Sequence, residues 1–457
     1  MRPLPLSELA TWIGVENAAA EVVVSGVETD SRAIAAGDLF VALPGERVDG
    51  HDYLADAAAR GAAAALVQRH VADVGLPQLR VDDGVQALAA IASALRGELA
   101  ASVLALTGSN GKTTVKTLLA GILGRIAPTF ANPGNRNNEI GMPLALIDTP
   151  AESRFAIYEM GAGQPGDIEW LAAIARPRVA LVNNIGPAHL ERMGSLLGIA
   201  QTKAAIYDAL PADGTGVVNA DDAFGTWFAQ RLGARRCLRF GLDADADVRA
   251  VDCRDDSSGQ RFRLLTPQGE ALAELALAGR HNLRNALAAA AMALAVDAPL
   301  AAIIEGLAEA RPVEGRLTRH RLANGAELID DSYNANPASV AAAIATLAQA
   351  GGVAWLVLGD MRELGADAAA LHAEVGAQAR AAGLAELWTV GELAAEASRA
   401  FGAQGRHFAS QDALVTALHG ALGSDVRCLV KGSRGSRMDR VTSALLARHA
   451  GEGGHAA

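Results

Sequence analysis

A chain of 457 residues with 51% hydrophobic and 20% charged side chains is too long for one ordinary core and too apolar for a disordered polymer, so two to four folded domains are expected. Its formal net charge of −11 argues against nucleic acid or an anionic membrane as the main partner, and leaves any phosphorylated ligand to local basic residues. Three dispersed cysteines, Cys237, Cys253 and Cys428, include no CxxC pair; they fit neither a disulfide framework nor a zinc site and suit a reducing compartment.

The first residues, through Gly14, lack the basic-then-apolar pattern of a secretory signal. Short β-rich runs (Glu21–Val27, Asp38–Leu43, Ala63–Val67) then mix with alanine-rich helical stretches (Tyr53–Arg60, Val85–Leu99), which reads as a small α/β domain. From Val103 a βαβ rhythm sets in: strand Val103–Leu106, a glycine-rich turn, a helix from Val115, then strand-like Phe155–Glu159 and Val179–Asn183. That alternation is the pattern of a doubly wound parallel sheet. Turn-rich sequence around Asp243–Gln260 and Thr266–Glu270 predicts a β-meander, followed by a helix over Asn282–Leu294. The most apolar stretch, Ala286–Ile304, is broken by Asp297 and Pro299 and is rich in alanine, which predicts buried helix rather than a membrane span. After Arg311–Arg316 the rhythm restarts: strand Leu328–Asp331, a helix from Ser339, strand Ala354–Leu358, a helix from Ala366, strands Leu387–Val390 and Cys428–Lys431. The fold class is therefore α/β with three domains: a small N-terminal α/β domain over 1–98, a central, mostly parallel doubly wound domain over 99–314, and a Rossmann-like domain over 315–457. Gly451–Ala457 reads as a frayed tail.

Between the strand and helix near residue 107 stands Thr107-Gly-Ser-Asn-Gly-Lys-Thr-Thr114. Gly108 and Gly111 would let the backbone N–H groups of Ser109, Asn110 and their neighbours crowd a phosphate, and the helix N-terminus adds partial positive charge. Lys112 would reach the β- and γ-phosphates, with the hydroxyls of Thr113 and Thr114 beside them and Thr113 meeting Mg²⁺. The spacing is shorter than the general phosphate loop, and the strand–turn–helix setting is what separates it from a plain glycine turn. Only four of the 40 basic residues are lysines: Lys112, Lys116, Lys203 and Lys431. Where arginine is the default cation, a lysine marks a place to look, because its amine can be deprotonated and modified. Lys116, one turn past Lys112, reads as a solvated surface charge.

Glu159 ends a strand-like run, and His189 follows another in Asn183-Asn-Ile-Gly-Pro-Ala-His189; ligands collect at such strand ends in open α/β sheets. Glu159 could hold magnesium. His189 on spacing alone reads as a hydrogen-bonded structural residue, since magnesium prefers oxygen. Lys203 would ordinarily be a solvated helix lysine; the sharper alternative is a neutral amine that captures CO₂ as a carbamate and becomes an oxygen ligand. Asp221-Asp222 reads either as a turn or as a neighbour of nucleotide.

Several runs in order along the chain resemble the Mur ligase family: Thr107–Thr113, Glu159-Met-Gly-Ala, Asn184-Ile-Gly-Pro-Ala-His189 with Lys203, Asn219-Ala-Asp-Asp222, Gly279-Arg-His-Asn282 with Asn285, and Glu314-Gly-Arg316. Asp30-Ser-Arg32, Gly37–Gly45 and Asp49-Gly-His51 resemble the UDP-binding domain of its two late-acting members. Asp331-Ser-Tyr-Asn-Ala-Asn-Pro337, Gly359–Gly365 and Lys431-Gly-Ser-Arg434 are similar to the member that adds D-alanyl-D-alanine; the diaminopimelate adder shows a DNPR motif, and here Ala338 follows Pro337. The resemblance implies ATP and two Mg²⁺ ions, with Lys112 and Thr113 serving the nucleotide and its metal. It makes Glu159 and His189 ligands of the second ion and Lys203 the carbamylated lysine, although Thr202-Lys203-Ala204-Ala205 departs from the family's usual AKxE. It places Asn285 at adenine, Arg316 at phosphate and Asp331 at ribose. Asn334, Asn336 and the strand-end Lys431 would meet the incoming dipeptide, and Ser31 and Arg32 the uridine end; Arg434 reads either as a two-pronged partner of the dipeptide's terminal carboxylate or as a surface arginine. The implied partners are UDP-N-acetylmuramoyl-tripeptide and D-alanyl-D-alanine, in a monomeric cytoplasmic ligase that forms an acyl phosphate. The competing expectations are the diaminopimelate or lysine adder, a folylpolyglutamate-type ligase, and a non-catalytic nucleotide-binding regulator.

Overall fold

The structure, a computed structural model, describes residues 1–16, 21–45, 47–256, 259–349 and 351–452. Three sheets dominate it. A four-stranded parallel sheet runs Gly26–Glu28, Asp38–Val41, Ala64–Val67, Gln78–Arg80, and a separate two-stranded ribbon pairs Leu4–Pro5 with Val23–Val24. The expected run Glu21–Val27 thus splits at Ser25, whose N–H goes to the Gly37 carbonyl.

The central sheet has nine strands, ordered Gly269–Leu275, Gly259–Thr266, Val248–Asp256, Arg236–Gly241, Thr215–Asn219, Val179–Val182, Ser102–Thr107, Phe155–Glu159, Thr129–Ala131. The expected β-meander forms its antiparallel edge, and the other pairings are parallel. Strand Ser102–Thr107 is apolar through Val103–Leu106 because helices cover both of its faces. Helices Lys112–Leu123, Arg280–Leu294 and Leu300–Ala308 cover one face. Their contact is close: a Cβ on Gly306 would lie 2.7 Å from the Ile122 Cα. The apolar stretch read as buried helix is two helices, parted at Asp297–Pro299, where Asp297 takes a left-handed φ of 59°. Among the described residues no helix is long and apolar enough to cross a membrane. On the other face, Gly84–Glu98 packs against Gly141–Ile147 and Asp167–Ala175, joining the N-terminal sheet's core to the central one.

The third sheet runs Thr318–Arg321, Glu327–Asp331, Val426–Lys431, Val353–Gly359, Glu386–Val390, Gly405–Phe408, parallel except at Thr318–Arg321. Two of these strands, Thr318–Arg321 and Gly405–Phe408, were not expected; both are half-exposed edges with no apolar run to mark them. The last helix, Asp439–Glu452, extends into the segment read as a frayed tail, whose residues 453–457 lie outside the described ones. In the central sheet Ser102–Thr107 lies between Phe155–Glu159 and Val179–Val182; the connection out of Ser102–Thr107 runs toward Thr129–Ala131 and that out of the adjacent Val179–Val182 toward Thr215–Asn219, in opposite directions. The carboxyl ends of these strands meet at that switch point, where open α/β sheets form a ligand crevice.

Candidate functional site

The glycine-rich loop is held in a cage of asparagines. Asn183 Nδ2 donates to the Asn110 carbonyl at 2.9 Å and to Asn285 Oδ1 at 3.0 Å. Asn184 donates to the same carbonyl at 3.0 Å and accepts from the Asn110 N–H at 2.8 Å. Ser109 Oγ donates to the Gly186 carbonyl and accepts from the Gly186 N–H. This crowding explains Gly111: its φ is 78°, and a Cβ there would lie 2.3 Å from Asn285 Oδ1. Such a position admits glycine on both steric and conformational grounds. Lys112 Nζ donates to the Gly108 carbonyl at 2.8 Å. Burial holds its ammonium below the ordinary lysine value, with Glu159 opposing and Arg316 adding to the depression.

Glu159 is the buried anion at the next strand end. Its Oε2 accepts from Thr113 Oγ1 at 2.8 Å, its Oε1 from Asn137 Nδ2 at 2.9 Å, and Lys116 Nζ stands 3.3 Å away. Burial pushes its pKa up, but Lys116, Lys112, Thr113 and Arg316 together hold it below the ordinary carboxylate value. Lys116 is therefore no surface charge, and that expectation is corrected: it is 5% exposed and donates to the carbonyls of Asn132 and Gly134. Helix Lys112–Leu123 packs on strand Phe155–Glu159 and strand Thr129–Ala131, so its second turn faces the loop from Asn132 instead of solvent. Asn132 in turn accepts from the Glu159 N–H and donates to its carbonyl. The asparagine-rich run after a short strand, Asn132–Asn138, was the available signal for this loop. Arg316 Nη2 donates to Thr113 Oγ1 at 2.9 Å from beyond the central sheet.

Lys203, on helix Leu196–Asp208, is 2% exposed, and among the described residues its amine makes no hydrogen bond or ion pair. Burial first, then Lys112, pushes its pKa well below the ordinary value, against the pull of Asp167. His189 has a left-handed φ of 56°, and its Nδ1 bonds Glu363 Oε2 of the third sheet's domain. Desolvation holds its imidazole below the ordinary value, with Glu363 opposing. Asp221-Asp222 is a structural turn that borders the cavity. Asp221 accepts from the N–H groups of Leu242, Asp243 and Ala244, and Asp222 from those of Ile185 and Phe224.

Beyond the central sheet, Lys431 Nζ donates to Asp331 Oδ2 at 2.5 Å and to the Asn334 carbonyl at 3.0 Å; the two side chains lie in register on paired parallel strands. Asn336 accepts from the Ser339 N–H at the start of helix Pro337–Gln349, and its Nδ2 reaches Asn110 Oδ1 at 2.8 Å. Arg434 is exposed, its guanidinium 5.3 Å from the Tyr333 ring centroid.

A cavity of about 1390 Å³ gathers most of these residues. Ser109, Asn110, Gly111, Lys112, Thr114, Glu159, His189, Asn285, Arg316, Asp331, Asn334, Asn336 and Lys431 all line it. Thr113 joins through Glu159 and Arg316, and Gly108 through Lys112. Ser31 and Arg32 do not line it: Arg32 is 83% exposed and folded onto Asp30, and the N-terminal domain reaches the cavity through Val85 and Gln86. Among the described residues no group of three or more His, Cys, Asp or Glu side chains could hold a metal alone. The donors that do converge, the Thr113 hydroxyl and the Glu159 carboxylate, are hard oxygens suited to magnesium shared with phosphate.

The Mur ligase middle domain matches residues 106–293, the Mur ligase glutamate ligase domain 315–434, and the Mur ligase family catalytic domain 23–96. UDP-N-acetylmuramoyl-tripeptide–D-alanyl-D-alanine ligase of Escherichia coli K12 is 43% identical over 448 residues, covering 97% of this chain and 99% of the relative. The Haemophilus influenzae ligase of the same name is 37% identical over 95% and 96%. Among solved structures, MurF from Acinetobacter baumannii superposes with a TM-score of 0.91 at 34% identity, covering 97% of this chain and 99% of its own. MurF from Thermotoga maritima in complex with ADP gives 0.83 at 27%, over 94% and 99%. The chain belongs to the Mur ligase family.

Proposed function

We propose that this protein joins D-alanyl-D-alanine to UDP-N-acetylmuramoyl-tripeptide at the expense of ATP, in the cytoplasm, as a step of peptidoglycan precursor synthesis. The observation that carries the reading is near-full-length identity of 43% with a ligase of that name; the motif Asp331–Pro337 at the cavity wall supports it. The tripeptide's terminal carboxylate attacks the γ-phosphorus, the β–γ bridging bond breaks, and ADP leaves. The free amine of the dipeptide attacks the resulting acyl phosphate, the C–O bond to phosphate breaks, and inorganic phosphate departs with the amide formed. Such chemistry needs positioning and charge neutralisation more than a nucleophilic side chain.

Lys112 would exchange the Gly108 carbonyl for the β- and γ-phosphates, and Arg316 would contact phosphate from the opposite wall. Thr113 would meet the nucleotide's magnesium, and Glu159 would hold a second ion, with His189 released from Glu363 to join it; bound there, the metals would supply charge neutralisation to attacking and leaving oxygens. Asn285 would meet adenine, Asp331 the ribose, and Asn334, Asn336, Lys431 and Arg434 the dipeptide. Ser31 and Arg32 would serve the uridine end, within a division of the chain after residues 98 and 314. Lys203 would carry a CO₂-derived carbamate; its buried amine, without an ion pair among the described residues and shifted by burial well below the ordinary lysine value, supports this. ¹³C-labelled bicarbonate should give a carbamate resonance that Lys203→Arg removes, and a spectrum without it ends that assignment.

The whole reading is tested by phosphate release with ATP, Mg²⁺ and UDP-N-acetylmuramoyl-tripeptide, with and without D-alanyl-D-alanine. Release that needs the dipeptide, with the product heavier by that dipeptide less one water, is expected. Release that needs neither substrate would make the protein a simple ATPase.

A further inference from the structure

Tyr333 has no role in the chemistry above, yet it stands where the proposed reactants converge. It lines the cavity, half-buried, between Ser332 and Asn334. The Arg316 guanidinium lies over its ring, 4.4 Å from the centroid, and the Arg434 guanidinium lies over it at 5.3 Å. Its N–H donates to the Gly315 carbonyl at 3.2 Å, so the backbone beside Arg316 is tied to the same residue. Gly315 has a φ of 68°, and a Cβ there would lie 3.4 Å from the Tyr333 Cβ.

An arginine side chain has several rotatable bonds, and extending one across a cavity to a single hydroxyl at Thr113 loses that freedom. A ring under the guanidinium limits its positions, and the aromatic face offsets part of the charge's desolvation. Among the described residues neither Arg316 nor Arg434 makes an ion pair with a carboxylate. The aromatic ring is the feature the two cations share.

We propose that Tyr333 is a positioning residue that mounts both arginines, Arg316 toward the nucleotide phosphates and Arg434 toward the dipeptide carboxylate, and so couples the two reactant ends. The inference rests on the phosphate and dipeptide roles given to those arginines above. Tyr333→Phe keeps the ring and is expected to stay within about twofold of wild type in every constant. Tyr333→Leu should raise the KM for ATP and the KM for D-alanyl-D-alanine together, each by three- to tenfold, the scale of a lost cation–ring contact.

Arg316→Met should raise KM for ATP or lower kcat without changing KM for the dipeptide, and Arg434→Gln should raise only the latter. In an Arg316→Met background, Tyr333→Leu should leave the ATP constants within about twofold of the single variant. Equilibrium binding of ADP to each variant supplies a readout apart from turnover, and thermal melting checks that the variants fold. Full additivity of Tyr333→Leu with Arg316→Met overturns the proposal, as does a Tyr333→Phe variant as impaired as Tyr333→Leu. If Arg316→Met and Arg434→Gln are themselves silent, the roles assigned to the arginines fall first and the proposal falls with them.

Discussion

Lys116 shows what a single residue can hide. A lysine one turn along a helix from another carries no mark of burial; what covers it is the loop beginning at Asn132, whose path depends on the whole sheet. Glu159 was legible as a strand-end carboxylate, whereas the weight given to His189 and Lys203 came from family resemblance, because spacing alone left both with ordinary structural readings. Removing Lys116 strands a buried carboxylate, so Lys116→Met should lose about 3 kcal/mol of stability, read as a shift of the urea midpoint; an unchanged midpoint would mean that Thr113 and Asn137 suffice for Glu159. Asp49 offers a prediction in pH. Its carboxyl accepts from the N–H and ring of the buried His51, and those bonds lower its pKa from 3.8 to about 2. A depressed carboxyl stabilises the fold above its unfolded value and loses that contribution as pH falls through its folded one. Asp49→Asn should therefore flatten the acid side of the stability curve between about pH 4 and pH 2, and a curve parallel to wild type there would refute the assignment.

At the level of elements, the buried parallel strands were readable because both faces are covered and their sequences become continuous apolar runs, as in Phe155–Glu159. Edges were not: Thr318–Arg321 and Gly405–Phe408 bury little, so their side chains carry almost no pattern. The glycine-rich turn between strand and helix was readable from its spacing, though the asparagine cage around it was not, since Asn183 and Asn285 are 102 positions apart. Gly111→Ala is expected to collide with that cage and to force a left-handed φ on a residue with a Cβ, at a cost of about 1–2 kcal/mol for the backbone alone. Calorimetry should find ADP binding lost and the melting temperature lowered; normal ADP affinity would show that the cage can yield.

Among the described residues, three side-chain hydrogen bonds bridge the central and C-terminal domains: Arg316 to Thr113, Asn336 to Asn110, and His189 to Glu363. Their residues border or face the cavity, and reactants bound there are expected to part some of them. The linker Arg311–Leu317, with left-handed φ values at Gly315 and Leu317 on either side of Arg316, would be the hinge of a domain closure. Small-angle scattering with and without nucleotide and UDP-linked substrate should register a change in radius of gyration; the same radius in both states would remove the hinge.

The four lysines have a practical consequence. Lys116, Lys203 and Lys431 are buried and Lys112 lines the cavity, so no lysine side chain decorates the outside of the protein. Reagents that acylate primary amines, or resins that capture them, would have little to seize on the native surface apart from the terminal amine. Slow ester labelling followed by peptide mass spectrometry would then report on one interior address, Lys112, and nucleotide should shield it.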